Sequence, residues 1–471
     1  MMPERPNILI IMSDDQGPWA LGCAGTSELR TPNLDALAAG GTRFSHMFCV
    51  SPVCSPARAS FLTGRIPSQH GVHDWLMSGN IAVPAGATWS GADQPIEYLA
   101  GLTGFTDLLA DAGYRCGFAG KWHLGDSARP QKGHTWWHAY ALGGGDYYRW
   151  HGFDNSPELS LKTQYVTDYY TDRALEFLDP YGADEQPWCL SLNYTAPHAP
   201  WGREQHPAEI YDSYADCDFA SLPVEPPHPW GGWNPTPEQR RATAQGYFAA
   251  VTAMDSQIGR VLARSAARDN TLVVFTGDNG FNVGHHGLCG KGNASWPLNM
   301  YEESVRVPFI VWRPGHVPAG VVHDGLCSHY DWLPTLADYL GLSLPAGAEL
   351  PGRSFAPVLG GQADGGAEEV VICDEYGPAR MIRDRQWKYV HRWPDGPHEL
   401  YHLPSDPGER RNLADEPSRR AEVERLRGRL AAWFERFVQP GRDGQREAVT
   451  GSGQTDWCRR PGAYRERRPQ T

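Results

Sequence analysis

Five short apolar-rich runs, at residues 7–12, 114–119, 188–193, 271–276 and 307–312, punctuate the first 360 residues, each followed by Gly, Pro or polar positions. They lack the strict in-out alternation of a half-exposed strand, which predicts strands covered on both faces. The intervening stretches show helical spacing. Residues 32–39 carry Thr31 as a cap, Pro32 in the first turn and Gly40 as a stop, and residues 106–112 are closed by Gly113. Further helices are expected at 167–178, 237–264 and 331–340. Strands alternating with helices predict an α/β fold with a large, mostly parallel (mixed) sheet sandwiched by helices.

Beyond residue 360 the pattern shortens to strand-like runs at 370–374, 380–383, 387–391 and 399–403, followed by a charged amphipathic helix over 418–437. This predicts three parts: a catalytic-sized α/β domain at 1–360, a smaller C-terminal α+β subdomain with an antiparallel sheet at 361–440, and an irregular tail at 441–471. Loops at 76–101, 126–157 and 205–237 are long and rich in Trp, Gly, Pro and His. Loops of that length in a compact domain are expected to carry function. There is no internal repeat.

Composition narrows the classes. A chain of 471 residues suits one large domain with a small companion. Its 55 acidic against 42 basic residues give a formal charge of −13, which argues against nucleic acid as a partner. The apolar run at 8–12 stops at Asp14-Asp15, too short for a signal peptide or a membrane span, so no membrane association and a cytoplasmic location are expected. Ten cysteines without a C-x-x-C pair form neither a zinc knuckle nor a disulfide framework and read as small buried apolar residues, Cys54 excepted.

Ligands of open α/β sheets sit beyond the carboxyl ends of the strands. Asp14 and Asp15 follow the first run, Lys121 and His123 the second, His198 the third, and Asp278 and Asn279 the fourth. Three carboxylates and an amide oxygen, without a ligating His pair, suit a hard cation such as Ca2+ or Mg2+. Taken singly, an Asp-Asp pair is also a turn or cap, and Asp-Asn-Gly a turn signal. The sharpest local motif is Cys54-Ser55-Pro56-Ala57-Arg58, continued by Ser60, Leu62, Thr63, Gly64 and Arg65. By itself the five-residue core also fits a buried cysteine ahead of a Pro-started helix.

This motif resembles the signature of the formylglycine-dependent (type I) sulfatases of the alkaline phosphatase superfamily, Cys-x-Pro-x-Arg followed by Thr-Gly-Arg. Many relatives carry Ser where this chain has Ala57. Lys121-Trp122-His123, Pro197-His198-Ala199-Pro200 and Gly290-Lys291 resemble further elements of the family, in order and spacing from about Arg5 to Phe437. The resemblance implies that a formylglycine-generating enzyme oxidises Cys54 to Cα-formylglycine. One hydrate hydroxyl would attack sulfur, giving a covalent sulfo-enzyme, and the other would expel sulfate. It implies one divalent cation, Ca2+ before Mg2+, held by Asp14, Asp15, Cys54, Asp278 and Asn279. Arg58 would add fixed positive charge beside the helix start. Lys121, His198 and Lys291 would hold sulfate oxygens, His123 would promote elimination, and His198 or Lys291 would protonate the leaving alkoxide.

The expected activity is hydrolysis of sulfate esters, with sulfated carbohydrate ahead of aryl or alkyl sulfate. A phosphonate monoester or phosphodiester hydrolase of the same superfamily is the nearest alternative, followed by a metal-dependent phosphatase and a non-catalytic binding relative. His285, His286 and Asn282 lie between Asn279 and Lys291 and are candidate substrate contacts. Trp136, Trp137, Trp150, Trp201, Trp230 and Trp233, in or beside the long loops, are candidate flat surfaces for a ring.

Overall fold

A computed structural model of the chain describes residues 5–82, 94–179, 186–265, 270–362, 365–447, 449, 453–460 and 462–464. Residues 83–93 of the first long loop and parts of the 441–471 tail therefore lie outside the described residues.

Ten strands form the main sheet: β1 (Asn7–Ser13), β2 (Thr42–Phe44), β3 (Arg115–Lys121), β4 (His134–Tyr140), β5 (Trp150–Asp154), β6 (Ser160–Lys162), β7 (Trp188–Asn193), β8 (Thr271–Gly277), β9 (Phe309–Trp312) and β10 (Val321–His323). Their order is β10-β2-β9-β8-β1-β7-β3-β4-β5-β6. The central strands β8, β1, β7, β3 and β4 are mutually parallel. β9 runs antiparallel to β8, and β5 and β6 continue antiparallel from β4. The mixed, mostly parallel α/β sheet expected from the sequence is thus present, flanked by helices α1 (Pro32–Gly40), α2 (Cys54–Thr63), α3 (Phe105–Asp111), α4 (Val166–Leu178), α5 (Pro237–Ser265) and α6 (Trp332–Leu340).

β1 shows why its run is continuously apolar. Ile8, Ile10 and Met12 enter one core with Leu272 and Val274 of β8. Leu9 and Ile11 enter the opposite core with Val273 and Phe275. All five β1 side chains are at most 2% exposed, so both pleat faces are dry.

The stretch at 126–157 is not the long loop its composition implies, because β4 and β5 both fall inside it. The reason lies in β4 itself, His-Thr-Trp-Trp-His-Ala-Tyr, whose histidines interrupt the apolar signal. Both are nevertheless buried: His134 Nδ1 donates to Gln131 O, and His138 meets Asp154 across the β4–β5 pair. The run at 307–312 enters the main sheet only at Phe309, after Pro308 has denied the ladder an N–H.

The C-terminal part carries a second, antiparallel sheet, β11 (Glu369–Asp374), β12 (Ala379–Asp384), β13 (Trp387–Arg392) and β14 (Glu399–His402), covered by α7 (Arg420–Phe437). Val371, Ile382, Tyr389 and Leu400 from its strands pack against Leu426, Leu430 and Phe434 of α7. Among the described residues no helix is long and apolar enough to cross a membrane.

Double-sided burial makes β1 intolerant of truncation. Ile10→Ala, at a site 1% exposed, should cost about 2–5 kcal/mol, whereas Val322→Ala on the edge strand β10, at a site 54% exposed, should change stability by less than about 0.5 kcal/mol. Denaturant midpoints of the two variants check the contrast.

Candidate active site

Register delivers the acidic residues to one point. Met12 of β1 pairs with Thr276 of β8, and Ser13 with Gly277, so Asp14 and Asp278 leave adjacent strands at the same level. Asp278 N–H donates to Ser13 O, and Asp15 N–H to Asp278 Oδ1 at 3.1 Å. Asn279 donates its backbone N–H to Asp278 Oδ1 and its amide to Asp15 Oδ1 at 2.9 Å. Asp15 is left-handed, with φ of 62°, an uncommon conformation for a non-glycine residue that clusters at functional sites. Its carbonyl accepts from the buried Tyr247 hydroxyl.

Asp14, Asp15 and Asp278 are all 4% exposed or less. Three buried carboxylates persist only if compensated, and three cations meet them. Arg58, one helical turn beyond Cys54 on α2, places Nε 3.0 Å from Asp278 Oδ2 and donates Nη1 to Lys121 O. Lys121, at the end of β3, pairs with Asp14. Lys291 pairs with Asp15 and sits 2.7 Å from Cys54 Sγ. Cys54 Sγ is itself 3.4 Å from Asp14 Oδ1.

Protonation follows from these neighbours. Burial raises the Asp14 carboxyl despite Lys121. For Asp15 burial acts upward, but Lys291 and His198 outweigh it and the carboxyl is lowered. Asp278 is likewise lowered against its burial, chiefly by Arg58. Lys291 is raised well above its ordinary value because Asp15 and Cys54 overcome burial. Burial, reinforced by Asp14, pushes the Cys54 thiol up to about 12. An unmodified Cys54 is therefore a thiol at neutral pH and a poor nucleophile.

Two histidines complete the rim. His123 follows β3 with φ of 53°, and its Nε2–H donates to Leu76 O at 3.1 Å, leaving Nδ1 buried without a hydrogen-bond partner. Burial and the nearby Lys121 and Arg58 hold its pKa well below the usual imidazole range, so it is a neutral base. His198 Nδ1–H donates to Ala199 O, which turns Nε2 toward Asp15 Oδ2, 3.7 Å away.

Cys54, His123, His198 and Lys291 open into a cleft of about 560 Å3, walled by Trp75–Ile81, Leu142–Gly144, Val53 and Asn293. Gly143 and Gly144 are required here by close approach. A Cβ on Gly143 would lie 2.4 Å from the His123 ring, and one on Gly144 2.8 Å from the His198 ring. Trp75, Asn80, Leu142 and Asn293 escaped the sequence reading, although Gly143-Gly144-Gly145 was a usable sign of crowding.

The structure brings together Cys54, Arg58, Lys121, His123, His198, Lys291, Asp14, Asp15, Asp278 and Asn279. It does not bring His285, His286 or Asn282 to the cleft wall. His286 stacks on Tyr301 with centroids 3.7 Å apart and is held between Glu303 and Arg410. His285 packs on Trp19. Asn282 donates to Gly290 O at 2.8 Å and to Ser304 Oγ, bracing the turn that presents Lys291. The expected ring platforms are also elsewhere: Trp137 and Trp150 are core, Trp136 packs on Phe177, Trp201 and Trp233 border a separate surface depression, and Trp230 lies under Arg392.

A divalent cation fits the donor set. Donor atoms of Asp14, Asp15 and Cys54 lie within 4.8 Å of one another. The buried Asn279 Oδ1 accepts no hydrogen bond and is free to serve as a further oxygen ligand.

A family profile described as Sulfatase matches residues 6–342, and one described as N-sulphoglucosamine sulphohydrolase, C-terminal, matches residues 296–435. Choline-sulfatase of Rhizobium meliloti (strain 1021) is 29% identical over 454 residues, covering 88% of this chain and 84% of its own length. N-acetylglucosamine-6-O-sulfatase of Bacteroides thetaiotaomicron is 27% identical over 499 residues, covering 87% and 83%. Among solved structures, a putative sulfatase from Bacteroides fragilis aligns with a TM-score of 0.77 at 25% identity, covering 94% of this chain and 98% of that one. The phosphonate monoester hydrolase of Agrobacterium radiobacter aligns with a TM-score of 0.65 at 21% identity, covering 92% and 96%.

The charge pairing predicts a stability effect separable from catalysis. Arg58→Met, which leaves Asp278 buried beside an apolar chain, should lower unfolding free energy by about 3–5 kcal/mol, measured by denaturant unfolding of metal-free protein.

Proposed function

The chain belongs to the sulfatase family of sulfuric ester hydrolases, within the alkaline phosphatase superfamily, and we propose that it hydrolyses sulfated carbohydrates through a nucleophile made from Cys54. The observation that carries this reading is the convergence on Cys54 of Lys291, at 2.7 Å, and Asp14, at 3.4 Å, beside a cleft that also receives His123 and His198.

Oxidation of Cys54 to Cα-formylglycine by a separate formylglycine-generating enzyme would give residue 54 two geminal hydroxyls when hydrated, one for attack and one for elimination. Asp14, Asp15, Asp278 and Asn279, with residue 54, would hold one divalent cation, Ca2+ rather than Mg2+, because an all-protein oxygen cage suits the larger, less strictly hydrated ion. When bound, it would supply Lewis-acid withdrawal of charge from the sulfuryl group.

The chain's own residues account for the remaining work. Lys291 at the cleft wall, with Lys121 buried behind it on Asp14, brings positive charge to the sulfate oxygens during S–O cleavage. His198, with Nε2 directed inward, gives a proton to the departing alkoxide, a role Lys291 can share. His123, neutral and with a free Nδ1, takes the proton released as the second hydroxyl expels sulfate. The leaving group rests against Trp75, Met77, Ile81 and Leu142, with Asn293 offering its amide to sugar hydroxyls.

Phosphonate monoester or phosphodiester hydrolysis is the second reading, supported by the likeness in fold to the Agrobacterium radiobacter enzyme. Such monoanionic substrates present the same charge to this floor as a sulfate ester.

The expected outcome, for protein coexpressed with a formylglycine-generating enzyme, is an aldehyde at residue 54 by mass analysis of its tryptic peptide. Turnover of an aryl sulfate should exceed that of an aryl phosphonate monoester and a phosphate diester. Cys54→Ala should bind ligand and turn nothing over. A preference for either phosphorus substrate would overturn the proposal, and full activity without the aldehyde would remove its nucleophile.

A further inference from the structure

Residues 453–460 and 462–464, which the composition reads as irregular tail, are laid along the back of the cleft wall. Gln454 is fully buried although its segment belongs to no named strand. Its backbone N–H donates to Trp75 O at 2.8 Å, and its carbonyl accepts from Met77 N–H at 2.9 Å, a parallel bridge centred on Leu76. Its side chain fixes the register: Oε1 accepts from His73 N–H at 2.9 Å, and Nε2 donates to Gly71 O and Asp456 O, each at 3.0 Å. Gly453 N–H donates to Asp74, and Trp457 packs on Tyr98 with centroids 5.7 Å apart. His73 is held from the other side by Glu375 of the C-terminal part, at 2.7 Å.

Backbone polar groups of an extended strip alternate between its two edges. Trp75 O and Met77 N–H point to Gln454, so the Leu76 groups point the opposite way, into the active site. Leu76 N–H donates to Ser55 Oγ at 3.1 Å, one residue beyond Cys54. Leu76 O accepts from His123 Nε2–H. This bond decides which nitrogen of His123 carries the proton and which is free to act as a base. The strip that orients His123 on one edge is therefore positioned by Gln454 on the other.

We propose that Gln454 is a positioning residue for sulfate ester hydrolysis, acting through Trp75–Leu76–Met77 on the orientation of His123. The assignment rests on the sulfatase reading and on His123 as base. It makes the C-terminal segment part of the active site without any atom of it reaching the cleft.

A double-mutant cycle tests it, with kcat for an aryl sulfate as readout. Gln454→Ala should lower kcat on the order of ten-fold with His123 present, since misplacement of a catalytic group by about 1 Å has effects of that order or more. In a His123→Ala background the same change should cost less than about two-fold. Equal losses in the two backgrounds would overturn the proposal, because a merely structural role does not depend on His123. Hydrogen exchange on the wild-type protein provides an arm that needs no variant to fold. The amides of His73, Met77 and Gln454 should be protected together, and exchange as fast as that of open loops would show that the clamp does not exist and would equally overturn it. Wild-type turnover of the aryl sulfate is measured first, so failure of the sulfatase reading is seen separately from failure of the coupling.

Discussion

Everything at this site depends on burying three carboxylates at the ends of two adjacent parallel strands. Asp14, Asp15 and Asp278 lie at the carboxyl ends of β1 and β8, where the sheet offers backbone N–H groups but almost no water. Each carboxylate has acquired its own cation: Lys121, Lys291 and Arg58 respectively. The cations come from a strand end, a tight turn and a helix. The acidic cluster thus draws separate elements together and fixes where α2 docks, which places Cys54 over it. A buried array of this kind is a poor source of stability compared with apolar packing. Its retention at the floor of a cleft is better explained by chemistry that needs charge already in place before substrate arrives.

Opposite effects on neighbouring acids follow from the same array. Asp14 is raised by burial while Asp15, one residue away, is lowered, because Lys291 and His198 reach Asp15 more effectively. The site is electrically uneven before anything binds. Residue 54 lies where the two signs meet, with Lys291 2.7 Å and Asp14 3.4 Å from Cys54 Sγ. On the proposed reading a sulfate ester, a single negative charge spread over several oxygens, would meet Lys291 in the cleft, while a hard cation would meet the carboxylates. The same separation would serve a monoanionic phosphorus ester, so discrimination between esters falls to the cleft walls rather than to the charged floor.

The parts of the fold that were legible are those in which one local rule acted alone. β1, β3, β7 and β8 are apolar because both faces are covered, and their boundaries shift by no more than two residues between pattern and structure. α1 and α2 announce themselves by Pro and Gly at their ends. β4 was hidden because His134 and His138 are buried polar residues with partners that are not in its own pattern: a carbonyl in the preceding turn and Asp154 across the sheet. The charged residues of the site were legible from strand-end position and motif. The wall was not, because Trp75, Leu142 and Asn293 have no periodicity or motif and are defined only by what they face. Proximity in sequence misled for His286, which lies five residues from Lys291 yet is directed to Glu303 and Tyr301.

The C-terminal segment shows the same limit in its sharpest form. A Gly-, Arg- and Pro-rich stretch predicts no element, and the described part of it forms none. Yet Gln454 satisfies five polar groups in the space of one residue, two by backbone and three by side chain. The strip at Trp75–Met77, with Leu76 buried at its centre, would otherwise leave its outer edge unpaired, at a cost of about 1–3 kcal/mol for each orphaned group. That penalty alone explains why something must cover the edge. The inner edge is what would connect the covering residue to the proposed chemistry: Leu76 is tied to Ser55 and His123 through two hydrogen bonds. On the proposal that His123 is the base, precision at its ring would come from pairing the far side of the strip that holds it, by a segment with no secondary structure of its own.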